Sequence, residues 1–572
     1  MISALLFAVG TTGGDLAAPI KAMSNELTQL TALENAMIPI VERFSMDRDE
    51  FERLYLTTHS ADRFAELKVF LAEQMDSLGT VDFDDLGVEG RVDWLLLRNR
   101  IEYELLDADI DLERLNEASP LLPFLDMIVG FMERLRAMEN VDSRSVAGQL
   151  ADALEKLKSA KEDEIEISPF VALRAGRIAN DLKRSLKTWF EFYDGYDPDF
   201  SWWVRKPYEE FDNELEAWIK YVNEELGGVK EDDDEAIVGD PVGREALLVD
   251  LKKEMIPYTP EELVRLADKE LAWCKAELKK AATELGFDDP MAAMEYVKTL
   301  HVDPGDQPAL IRDLALEAIA YLEDNDLMTI PELAKQSWQM SMMSPQRQLL
   351  APFFLGGRTI IVSYPTDAMT HEQKLMSMRG NNEHFARATV HHELIPGHHM
   401  QQYMNRRFNT HRSAFGTPFW TEGWALYWEI LLWDLGFPKT PENKIGMLFW
   451  RTHRAARIKF SLGFHLGQMT IEECVELLVN VVGHEQKTAE AEVRRSFEGS
   501  YMPLYQAAYL LGGLQINSLR NDLVENGPLS YKEFHDRIIR LNRMPIEMLR
   551  AILTDTLLEK EFETNWRFYG SP

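Results

Sequence analysis

The sequence predicts a mostly α-helical protein of many helices, with a deep cleft and one small β element beside a metal-binding helix. Three observations carry that expectation. Apolar residues recur at intervals of three and four along most of the 572 residues, as in Phe64, Leu67, Phe70 and Leu71. Only Thr359–Tyr364, TIIVSY, flanked by Gly356-Gly357 and Pro365, reads as a strand. Seven of the thirteen histidines (His371, His384, His391, His392, His398, His399 and His411) crowd around one stretch, VHHELIPGHHMQQ at Val390–Gln402.

Composition narrows the range of partners. Lysine and arginine number 61 against 96 aspartates and glutamates, a net charge of −35. That balance argues against a nucleic-acid backbone or an anionic membrane surface as partner. No run of eighteen apolar residues is present, so no membrane-spanning segment is expected. Cys274 and Cys474 are the only cysteines, far apart in sequence, which speaks against a disulfide framework. The start, MISALLFAVGTTGG, has a short apolar run with no basic residue ahead of it and reads poorly as a secretory signal. A cytoplasmic protein is expected. Oligomeric state is not legible.

Taken in order, residues 1–227 read as an N-terminal helical region, the simplest account of which is a run of long antiparallel helices. Residues 228–241 form an acidic linker, with five acids in Glu231–Ala236 and a closing Gly-Asp-Pro. Residues 242–572 make up the catalytic, metal-binding region, and the two halves are expected to pack around one cleft. Thr259 followed by Pro260, Glu261 and Glu262 is a helix start, with the threonine as cap and acids in the first turn. The TIIVSY strand reads either as an edge able to accept an extended peptide or as a short hairpin packed for structure. A helix starting near Asn382 leads into the histidine cluster.

His392-Glu393 resembles the start of a zinc-hydrolase motif, in which two imidazoles hold the ion and the carboxylate takes a proton from the attacking water. The usual second histidine, four residues on, falls at Pro396 here, and the next histidine is His398. Six residues turn a regular helix through roughly 600°, leaving His398 about 240° from His392. Pro396 lacks the amide that would bond back to His392 and clashes with the preceding turn. Gly397 relaxes the backbone further. The expectation is a two-residue bulge that swings His398 back beside His392. His391 and His399 are expected to support the site or lie at the surface.

A third ligand is expected from Thr417–Trp433, TPFWTEGWALYWEILLW. Its helix is apolar on nearly every face, so burying Glu422 is costly unless something positive meets it. Glu422 lies 30 residues after His392 and 24 after His398. Glu429, two turns further along the same face, is the weaker candidate.

With HHELIPGHHMQ and TEGWALYWE together, the chain resembles a large bacterial family catalogued mainly as a domain of unknown function. That family is similar to the glutamate-type zinc metallopeptidases, including thimet oligopeptidase and the carboxypeptidase Taq group. The resemblance implies a metallopeptidase-like architecture, one zinc ion held by His392, His398 and Glu422, and Glu393 as the catalytic base. A later family block corresponds to Arg457 and Ser461–His465, with serine where the family has aspartate, and the last to Pro503–Gly512, with its glutamine displaced by one. The expected activity is hydrolysis of a peptide or small amide by zinc-activated water. A transition-state donor would come from Tyr509 first, His465 second, or Tyr501 or Tyr505. The alternatives are a catalytically inactive metal-binding or structural homologue, and a metal-dependent hydrolase of a non-peptide amide or ester.

Overall fold

The computed structural model describes residues 35–161, 166–230, 236–350, 356–499 and 501–570. The apolar start of the chain and most of the Glu231–Ala236 acidic run lie outside them. The protein is mostly helical, as its apolar periodicity predicts. The elements that frame the site are, in chain order, α1 (Val88–Ala118), α2 (Gly243–Lys253), α3 (Pro260–Glu284), β1 (Gln339–Met342), β2 (Thr359–Val362), α4 (Glu383–Glu393), α5 (His398–Asn405), α6 (Pro418–Asp434), α7 (Pro441–His465), α8 (Gln486–Phe497) and α9 (Tyr505–Arg520).

Local chemistry sets the helix starts. Thr259 and Glu262 form a reciprocal capping box at α3. The Asn382 side chain accepts from the amides of His384 and Phe385 at the start of α4, and Thr417 caps α6 ahead of Pro418.

One continuous apolar core holds residues from both halves, from Met37 and Trp94 to Trp428 and Leu558. A buried ion cluster reinforces the junction. Arg412, fully buried, donates from Nε to Asp93 Oδ1 on α1 at 2.7 Å, and His411 Nε2 meets Asp93 Oδ2 at 2.9 Å. Once desolvated, such charges are tolerable only in each other's company, so they fix how the halves meet. The seam itself is less exposed than its composition suggested. Asp240 is gripped by Arg114, Arg174 and Arg177, and Gly239 lies against the Phe464 ring.

The strand departs from expectation in its pairing. β2 runs parallel to β1, with Gln339 opposite Thr359, instead of forming a hairpin. Parallel pairing needs a crossover, and the chain between the strands supplies it. Ile360 and Val362 pack with Ala386, Val390 and Leu394, so the ribbon braces the helix that carries His392.

Candidate functional site

The break at Pro396 is a junction between two helices rather than a bulge within one. α4 ends at Glu393 and α5 begins at His398. Its four-residue link contains a cis Ile395–Pro396 peptide. The Gly397 amide bonds to the His391 carbonyl at 3.0 Å, and the Met400 amide to Leu394 at 3.2 Å. Gly397 has φ −76°, so a left-handed conformation is not the reason for glycine here. Room is: a Cβ at this position would stand 1.7 Å from the His392 carbonyl oxygen. The Trp424 indole locks the link to α6 by donating to the Pro396 carbonyl at 2.8 Å.

This junction returns His398 to His392, with ring centroids 4.9 Å apart and planes at 84°. Glu422 joins them from the first turns of α6. Its Oε2 lies 3.2 Å from His398 Nε2 and 3.6 Å from His392 Nε2. One donor atom from each of the three residues fits within 4.8 Å of the others. Glu422 Oε2 is buried, and the two imidazoles are its polar neighbours at those distances, with no further hydrogen bond to it among the described residues. Its other oxygen accepts from the Tyr505 hydroxyl at 2.6 Å. Close packing makes this possible, since Gly423 on α6 rests directly on Gly512 of α9.

Glu429 lies behind His392, its Oε1 2.7 Å from Nδ1. A carboxylate only accepts, so Nδ1 carries a proton and donates to Glu429, leaving Nε2 turned towards Glu422. Burial alone would depress His392, but Glu422 and Glu429 together push it up to about 9. Burial would raise Glu422, yet His398 and His392 hold it well below the usual carboxylate range. Glu429 is lowered as well, against its burial, by His392 and by Arg454 at 3.7 Å.

Glu393 follows His392 at the end of α4. Its side chain stays partly exposed and makes no hydrogen bond or ion pair among the described residues. Burial in this region raises its pKa, while His398 and His392 pull the other way. Tyr509 stacks on His392 with centroids 6.2 Å apart and planes 15° apart. Burial pushes its hydroxyl up to about 12, with Glu422 contributing. Tyr501 packs on Tyr505, one step further out.

His465 is not brought to this group. It ends α7, eleven residues past Arg454 and therefore roughly 16 Å along the axis. Its ring packs on Phe464 and Phe497, and burial depresses it to about 4. His391 and His399 are buried rather than superficial, bonded to the carbonyls of Arg387 and Ala334. Sequence reasoning missed the part of Glu429 behind His392. Its place two turns beyond Glu422 on a wholly buried helix face was the available signal.

The fold and site define a mostly helical protein with a buried cluster of two histidines and one glutamate. The chain belongs to the family described as "Bacterial protein of unknown function (DUF885)", whose model matches residues 48–553. No curated protein matches it. Two solved structures share the fold. One is a candidate lipoprotein of unknown function from Shewanella oneidensis, with TM-score 0.65, 16% identity, and coverage of 95% of this chain and 100% of that one. The other is a candidate lipoprotein from Colwellia psychrerythraea, with TM-score 0.52, 15% identity, and coverage of 87% and 91%.

These neighbours overturn the cytoplasmic expectation, because lipoproteins are tethered to membranes by their lipid. Cysteine scarcity was a poor guide. Cys274 and Cys474 are buried and unpaired, and a core of this size needs no crosslinks in any compartment. No described helix is long and apolar enough to cross a membrane.

Proposed function

We propose that the protein is a zinc-dependent peptidase, with His392 Nε2, His398 Nε2 and Glu422 Oε2 as ligands. The observation that carries this reading is the buried Glu422 Oε2, whose only polar neighbours among the described residues are two imidazole nitrogens. A carboxylate is costly to bury unless a positive group meets it, and two nitrogens plus one oxygen suit zinc with a position left open. When bound, the ion would supply Lewis acidity to a substrate carbonyl and a lowered pKa to water.

The protein's own residues divide the remaining work. Glu429 fixes the His392 tautomer, and Tyr505 fixes the Glu422 carboxylate, so two of the three proposed ligands have a supporting partner. Glu393, partly exposed and raised in pKa, accepts the proton of the attacking water and delivers it to the leaving amine nitrogen. Tyr509, protonated at neutral pH, is the donor for negative charge developing on the carbonyl oxygen. The neighbours' description as candidate lipoproteins supports peptides outside the cytoplasm as substrates.

A panel of quenched peptides and simple esters, assayed after EDTA treatment and again after adding zinc, tests the reading. Peptide cleavage restored by zinc is expected. Bound metal without any turnover would make this a metal-binding protein instead, and turnover of esters alone would exclude peptides.

A further inference from the structure

Beside the histidine cluster the protein buries more guanidinium than its carboxylates satisfy. Arg454 and Arg457, one turn apart on α7, are 5% and 3% exposed. Each places its guanidinium carbon 4.5 Å from the centre of the Tyr509 ring, the ring that stacks on His392. Arg495 on α8 and Arg457 share a single carboxylate, Glu492, at 3.1 Å and 2.7 Å. Arg454 comes only within 3.7 Å of Glu429 Oε1, which already accepts from His392. Arg457 Nη1 and Arg454 Nε are consequently buried without hydrogen-bond partners among the described residues.

Unfilled donors on a buried guanidinium carry the desolvation cost of a charge with little return. A planar carboxylate is the group whose two oxygens match such a fork. Distance narrows the choice. Steps of 4.5 Å and 6.2 Å place the Arg457 guanidinium carbon within about 11 Å of the His392 ring centre. An extended chain advances roughly 3.5 Å per residue, so this gap spans at most about three such lengths, and with one taken up by the carboxylate–guanidinium contact it admits one or two residues.

Resting on the peptidase reading, we propose that Arg454 and Arg457 bind the free α-carboxylate of the substrate, making the protein an exopeptidase that releases one or two residues from the C-terminus. The water oxygen bonds to the acyl carbon and the C–N bond breaks. The amine leaves with the proton relayed by Glu393, and no redox partner is needed. Arg495 and Tyr505, beside the pair, are partly exposed.

N-blocked tripeptides with free or amidated C-termini, given to the zinc-supplied full-length protein, provide the first arm. The free acids should be cleaved at least tenfold faster in kcat/KM, with the difference lost in Arg457→Met. The second arm needs no turnover: calorimetric titration of metal-free protein with an N-acyl amino acid and with its amide. The acid should bind at least tenfold more tightly, Arg457→Met should abolish the preference and Arg457→Lys should keep part of it. Equal cleavage of acid and amide, or internal cleavage of both, would overturn the exopeptidase inference and leave the peptidase reading standing. No cleavage with zinc bound would sink the peptidase reading, and equal binding of acid and amide would remove the carboxylate site. Should Arg457→Met fail to fold, the acid–amide comparison on the unaltered protein still decides.

Discussion

Glu429 Oε1 accepts a hydrogen bond from His392 Nδ1 at 2.7 Å, reaching around the ring from two turns beyond Glu422 on the same helix. One helix thus supplies both the proposed third ligand and the group that orients the first. Orienting carboxylates of this kind contribute roughly 10–100-fold to metal affinity. Glu429→Ala should weaken zinc binding by that factor in competition with a chromogenic chelator. Unchanged affinity would remove Glu429 from this role.

Glu393 tests the base separately from the metal. Glu393→Gln keeps the size of the side chain but cannot take a proton. It should retain stoichiometric zinc while losing roughly 10²–10⁴ in kcat. Metal content and turnover measured on one preparation separate the two effects, and full activity with zinc bound would exclude Glu393.

Contact between α6 and α9 is a packing prediction. A Cβ at Gly423 would lie 2.7 Å from the Gly512 backbone, so Gly423→Ala must push the helices apart. Overpacking of this kind costs about 1–3 kcal/mol, read as a shift in denaturant midpoint at constant slope. The same displacement draws Tyr505 from Glu422, so activity should fall in protein that is still folded.

Stability should also depend on pH through Glu254, which follows α2 and accepts from the Thr417 hydroxyl at the start of α6. Burial pushes its carboxyl up to about 7 from an ordinary 4.5. The unfolded chain therefore loses this proton first as pH rises, and Glu254 increasingly destabilises the native state between about 4.5 and 7, with the full cost present above 7. Glu254→Gln should show little gain at pH 4 and up to about 3 kcal/mol at pH 8. A constant difference between the two proteins across that range would contradict the assignment.

The sequence by itself determined the helical class, the Thr259, Asn382 and Thr417 starts, the interruption at Pro396, and His392, His398 and Glu422 as residues to bring together. The first three are local properties: apolar period, capping oxygens and a missing amide act within a turn or two of their own position, whereas the three residues came from the resemblance of their motifs. Only the tertiary structure decided that the interruption is a junction between two helices, that Gly397 is needed for room, that β1 and β2 run parallel, and that Tyr505 holds Glu422. It also separated His465 from the cluster and gathered Arg454, Arg457 and Arg495 around Tyr509. The placements of Tyr505, His465 and the arginines depend on how α6, α7, α8 and α9 pack, and that packing is settled by contacts between residues tens of positions apart, which no local pattern encodes.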